Sequence, residues 1–141
     1  MSDVSKGLTQ YHLAVLTEKR QRGLSLQSIL GKLGFKVSIA QHIYDAVQII
    51  TQEMPHLIIT EATLQDGHAG TLIEKLQPHE SITEIPIILS IQNKTKIETG
   101  IANSREFAGL FVGPINPKEL VAKIVEIFQT YNNISPYFIY G

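Results

Sequence analysis

Short apolar runs along this chain alternate with stretches in which apolar residues recur every three or four positions. HLAVLT, residues 12–17, is a β-rich run that predicts a first strand. RGLSLQSILGKL then sets Leu26, Leu30 and Leu33 at helical spacing, with Gly34 as the stop. FKVSIA (35–40) predicts a second strand. Ile43, Ala46, Val47, Ile50 and Met54 share one helical face, and Pro55 ends that helix. HLIIT (56–60) predicts a third strand, apolar enough to be buried on both faces. LQDGHAG reads as its loop and TLIEKLQ as a short helix. Pro78 and the polar HESITE lead to a fourth strand in IPIILSI (85–91).

Ile97 and Ile101 suggest a helix in the next segment, although Gly100 costs it about 1 kcal/mol. AGLFV (108–112) predicts a fifth strand. The last helix carries its own start signal: Asn116 as cap, Pro117 at the first position and Glu119 completing an N-x-x-E capping box. Its buried stripe is Leu120, Ile124, Ile127 and Phe128.

Five alternations of strand and helix, without a repeat or an internal linker, predict an α/β domain: a parallel sheet with helices on both faces. In such sheets ligands gather beyond the carboxyl ends of the strands. The segments to inspect are therefore TEKRQ, EATLQDG, SIQNK and GPINP. Glu18 and Glu61 follow the first and third strands. On neighbouring strands their carboxylates could hold a hard divalent cation, share a raised pKa, or sit in solvent as strand-end acids. Lys19, Arg20 and Arg22 crowd the start of the first helix, where acids are preferred. They read as solvated loop charges, as an anion attractor, or as partners of Glu61 or Asp66.

Composition narrows the classes. With 141 residues the chain suits one domain. A formal charge of -1 gives no electrostatic case for nucleic acid or an acidic membrane surface. The absence of cysteine excludes disulfides, thiolate metal sites and thiol nucleophiles. His12, His42, His56, His68 and His79 form no metal-binding spacing, and no G-x-S-x-G, Walker A or G-x-G-x-x-G occurs. No apolar run approaches the ~20 residues of a membrane helix, and the polar start lacks a signal-peptide core. A cytoplasmic domain is expected, with no nucleic-acid or membrane partner.

From about residue 11 to 130 the chain resembles the receiver domain of response regulators. LAVLTEKRQ sits where receivers carry a strand ending in an acidic pair. HLIITEATLQDGHAG resembles the family's DLIILDxxLPDGxG segment, which holds the phosphoacceptor aspartate. IPIILSI resembles the strand that ends in a Thr or Ser, and FAGLFVGPINPKELVAKI resembles ADDYLTKPFDPEELLARI. The resemblance implies a flavodoxin-like (βα)5 doubly wound sheet in strand order 2-1-3-4-5. It further implies a role in bacterial two-component-type signalling.

The matched positions depart from the family's chemistry. Glu61 stands at the phosphoacceptor, and Thr17 and Glu18 replace the acidic pair. The hydroxyl position falls on Ser90 or Ile91, the lysine position on Gly113, and the loop-ending glycine on Ala69 or Gly70. A glutamate projects its carboxylate roughly 1.5 Å further than an aspartate, one C–C bond. An error of about 1 Å can cost on the order of 100-fold in rate. Phosphoryl transfer further relies on Mg²⁺ and on positive charge for its transition state. No cofactor is expected, and the missing carboxylate weakens the case for Mg²⁺.

The expected function is therefore non-enzymatic: a phosphorylation-independent pseudo-receiver that acts as a protein-interaction module. The alternative is an atypical receiver that still accepts a phosphoryl group from a histidine kinase or a small phosphodonor. A nucleotide or other small anion bound by Lys19, Arg20 or Arg22 is a third reading, weakened by the lack of a phosphate-cradling glycine loop. Phe111 matches the family's switch aromatic or is simply core. The resemblance places a protein partner, a second copy of the chain included, on the helix 4–strand 5–helix 5 face. Gly113-Pro114 matches a family bond that is often cis, so a cis form is expected here. Residues 1–10 read as a polar lead, and 131–141 as an aromatic extension with Tyr131, Tyr137, Phe138 and Tyr140.

Overall fold

The computed structural model describes residues 11–131, so the polar lead and all of the aromatic extension after Tyr131 lie outside the described residues. The chain runs β1 (His12–Leu16), α1 (Arg20–Lys32), β2 (Lys36–Ala40), α2 (Ile43–Glu53) and β3 (Leu57–Glu61). It continues through α3 (Ala69–Leu76), β4 (Ile87–Ile91), α4 (Lys96–Asn103), β5 (Gly109–Val112) and α5 (Pro117–Tyr131). All strand pairs of the five-stranded sheet are parallel, in the order β2-β1-β3-β4-β5. The strand order expected from the resemblance is the one observed.

The sheet is sandwiched, and strand parity sorts the side chains. Leu13 and Val15 of β1, Leu57 and Ile59 of β3 and Ile88 of β4 pack with Leu30 of α1 and with Leu120, Ile124, Ile127 and Phe128 of α5. On the opposite face Ala14, Leu16, Ile58 and Ile87 meet α2 and α3 through Ile43, Ala46, Ile50, Leu72 and Leu76. A smaller cluster, Leu89 and Ile91 against Ile101, seats α4. β1 is buried at every position, which is why it reads as a continuous apolar run. Gly23 lets α1 lie close to the sheet, since a Cβ there would come within 2.8 Å of Ile39 Cγ2.

Helix ends follow local chemistry. Asn116 Oδ1 accepts from the amides of Lys118 (2.9 Å) and Glu119 (3.2 Å), as its capping role requires. α2 is capped from elsewhere: Asp66, in the β3–α3 loop, accepts from Ile43 N at 2.7 Å. Met54 is not on the buried stripe of α2. It follows the helix in the left-handed region (φ 50) and is 43% exposed, because Pro55 prevents another helical turn. Two short elements carried no legible pattern. Thr63–Leu64 and Gly67–His68 form a two-residue antiparallel ladder, and Glu80–Thr83 a helical turn that buries Ile82. At that length neither repeats its period.

The expected cis Gly113–Pro114 bond is corrected: every peptide bond among the described residues is trans. The chain turns instead at Gly113 itself, at φ 83, a conformation that costs glycine little. The trans form is also the usual preference of an X–Pro bond.

Candidate functional site

The strands end together beneath the loops that the sequence singles out. Register places Glu61, Ser90 and Phe111 in one row across β3, β4 and β5. Side chains at the same level of a parallel sheet point to the same face, here the α1/α5 face. Ser90, not Ile91, is therefore the hydroxyl beside Glu61, and it is fully buried. Glu61 is the last residue of β3 rather than the first of the loop.

Parity aims Glu61 at α1, and α1 answers with Arg22. The guanidinium forks onto the carboxylate, Nε to Oε2 at 2.6 Å and Nη2 to Oε1 at 2.6 Å. The backbone N–H of Glu18 donates to Oε1 at 2.9 Å. Such planar bidentate pairs are among the stronger charge-assisted contacts. The hydrogen bond to Glu61 raises the Arg22 pKa above its ordinary value against the opposing effect of burial, with the Glu61 and Glu18 charges adding to the rise. Of the three bases after β1, Arg22 is thus the one that pairs with Glu61.

The neighbouring positions are also committed. Thr17 is buried and its hydroxyl donates to the Lys19 carbonyl, so it does not substitute for a carboxylate. Glu18 contributes its backbone N–H to Glu61, while its carbonyl accepts from Gln41 (3.0 Å) and Gln65 (2.5 Å). Gly113 brings no side chain to the end of β5. Gln92 reaches across instead, its Nε2 donating to Ser90 Oγ at 2.6 Å and to Gly113 O at 3.4 Å. A neutral amide thus stands between β4 and β5. α3 begins at Ala69, with Gly70 inside its first turn.

These residues do not suit a divalent cation. The Glu61 oxygens already take three donors, two of them from the Arg22 guanidinium, and Thr17 offers a hydroxyl in place of a carboxylate. Among the described residues no group of three or more His, Asp or Glu side chains could hold a metal. A groove of about 530 Å³ opens at the pair, lined by Arg22, Leu26, Ile29, Glu61, Gln92 and Ile115.

Phe111 packs half-buried against the α1/α5 core. Its neighbours face the other way. Leu110 and Val112 lie level with Leu89 and Ile91 on the edge strand, and they are 50% and 51% exposed. Ile97 of α4 is 55% exposed.

A second buried carboxylate, Glu98, sits close by on α4. Its Oε2 accepts from Thr63 Oγ1 at 2.5 Å and its Oε1 from Asn93 N at 2.9 Å. Burial would raise its pKa, but the hydrogen bonds from Thr63 and from the amides of Asn93, Gln92 and Lys94 outweigh that and hold it low. The sequence signal is Thr95-x-x-Glu98, a capping-box spacing. Half the box forms, Glu98 N to Thr95 Oγ1 at 3.1 Å, while the carboxylate turns to the β4–α4 loop. That turn depends on the tertiary position of Thr63.

No family model matches this chain. No curated protein matches it either. Solved structures do. A response regulator from Desulfuromonas acetoxidans is 23% identical, with a TM-score of 0.73 over 85% of this chain and 98% of that one. A CheY-like response regulator receiver domain protein from Methanospirillum hungatei is 18% identical, with a TM-score of 0.77 over 87% and 97%. The non-phosphorylated HemR receiver domain from Leptospira biflexa is 17% identical, with a TM-score of 0.71 over 83% and 93%. Together with the strand order, these likenesses show that the chain has the flavodoxin-like fold of CheY-like receiver domains.

Proposed function

We propose that this chain is a receiver-like protein-interaction module of bacterial two-component-type signalling that works without phosphorylation. The observation that carries the proposal is the fork of Arg22 on Glu61. An acceptor carboxylate must offer a free oxygen in line with the incoming phosphorus, and a metal would need another. Arg22 and the Glu18 amide occupy those oxygens, and no side-chain cation stands at Gly113. The Arg22–Glu61 pair holds the pocket in one state.

The partner surface is the α4–β5–α5 face. Leu110 and Val112 of the edge strand β5 and Ile97 of α4 are exposed apolar side chains on these elements, of the kind that marks a docking surface. A second copy of the chain is one such partner. No helix among the described residues is long and apolar enough to cross a membrane.

Incubation with acetyl phosphate and Mg²⁺, read by intact mass, tests the proposal. No adduct is expected. A stable gain of about 80 Da, one phosphoryl group, would overturn it in favour of an atypical phosphoacceptor. For the face, Val112→Asp should abolish partner recovery or dimerisation while leaving the circular dichroism spectrum intact. Unchanged binding by that variant would move the interaction elsewhere.

A further inference from the structure

The end of the sheet opposite Glu61 holds a histidine pair with no part in the pocket above. We propose that His12 and His56 form a pH-sensitive clasp between the start of the sheet and the end of α5, closed when His56 is neutral and opened by its protonation.

The geometry defines the protonation state. His56 Nδ1 accepts the backbone N–H of His12 at 3.0 Å, while His56 N donates to His12 O at 2.8 Å. A ring nitrogen that accepts a backbone N–H carries no proton, so His56 is the neutral Nε2–H tautomer. Protonating Nδ1 would set one N–H against another at the first rung between β1 and β3. A different route puts a proton on His12 Nε2. Ser38 Oγ donates to Glu53 Oε1 at 3.0 Å and so presents a lone pair to His12 Nε2 at 2.8 Å.

The clasp reaches α5 through tilted ring contacts. Tyr11 lies between His56, at 5.0 Å centroid to centroid, and Phe128, at 4.8 Å. Phe128 is fully buried near the C-terminal end of α5. Displacing His56 frees one side of Tyr11, and with it the seat of the last turn of α5.

The charged and titratable groups around the pair come from β2, α2 and the residue before β1. β2 supplies Lys36, α2 supplies Glu53, and Tyr11 precedes β1. Glu53 Oε1 is 3.3 Å from His12 Nε2 and 3.9 Å from Lys36 Nζ. Burial lowers the pKa of His56. It also lowers that of His12, opposed by Glu53 and assisted by Lys36 and His56. A histidine whose folded pKa is lowered stabilises the fold above its unfolded pKa, about 6.5. That contribution is lost as pH falls from there through the folded value.

Amide hydrogen exchange of the intact chain between pH 7.5 and pH 5, corrected for intrinsic rates, reads the clasp. Exchange at the His12 amide and at residues 127–130 should rise by up to about tenfold per pH unit between the two pKa values, one proton being taken up on opening. His56→Asn keeps an acceptor near the Nδ1 position but cannot titrate, so the part of the rise that His56 causes should be lost and only the His12 contribution should remain. A flat wild-type profile, or a response unchanged in His56→Asn, overturns the proposal. Nitrogen-detected NMR of the wild type gives the result independently of any variant. His56 Nδ1 should stay unprotonated to below the ordinary histidine range, and titration at or above that range also overturns it.

Discussion

Removing Arg22 is the most informative perturbation of this protein. The Glu61 side chain is 7% exposed and the Arg22 side chain 38%. Stripping one partner from a fully buried ion pair costs about 3–5 kcal/mol, because an uncompensated charge remains. Two features reduce that figure here. Water enters where the half-exposed arginine stood, and the Glu18 amide stays on Oε1. For Arg22→Ala we therefore expect a loss of about 2 kcal/mol.

Glu61→Gln should cost less, about 1 kcal/mol, since its amide oxygen still accepts from Glu18 N and the arginine can turn to solvent. The double variant should lose about 1 kcal/mol less than the sum of the single losses, the signature of two groups that stabilise each other. Urea unfolding followed by circular dichroism measures all three. With slopes of about 1–3 kcal/mol/M, the Arg22→Ala loss moves the midpoint by roughly 1 M. A change within about 0.5 kcal/mol for Arg22→Ala, or strict additivity, would place the pair among surface ion pairs of little worth and refute the reasoning.

Other outcomes follow from the same structure. Gly23→Ala should lose about 1–3 kcal/mol in urea melts despite the helical preference of alanine, because its Cβ meets Ile39 Cγ2 at 2.8 Å. Gly100→Ala, with nothing within 4 Å, should gain about 0.5–1 kcal/mol by the same measurement. Glu98 stabilises the fold above the ordinary glutamate range, and because its folded pKa is lower that stability is lost as pH falls further. Glu98→Gln should flatten this acid limb in melts between pH 3 and pH 7 and destabilise by about 1–3 kcal/mol at neutral pH. Asn116→Ala should cost about 1 kcal/mol through the lost cap, read as a lower thermal midpoint.

Much of this molecule is legible in its sequence where the signal is local. β1, β3 and β4 are apolar runs because both their faces are covered. Asn116 and the stripe Leu120, Ile124, Ile127 and Phe128 announce α5, since caps and helical periodicity act within a few residues. That Glu61 ends an apolar run is legible in HLIITE, and it is the last residue of β3.

What Glu61 touches is not legible. Arg22 lies 39 residues away and is one of three adjacent bases. Only the parity of β3 and the docking of α1 across the Gly23 contact choose it over Lys19 and Arg20. Ser90 over Ile91 was likewise a matter of inter-strand register, and the trans Gly113–Pro114 bond of a turn already made by Gly113. Glu98 is an ordinary helix acid by spacing and a buried anion only because Thr63 and the β4–α4 loop close over it. Periodicity specifies which side of an element is apolar. Which residue meets which across the sheet follows from register and helix placement, and these are decided only when the whole core packs.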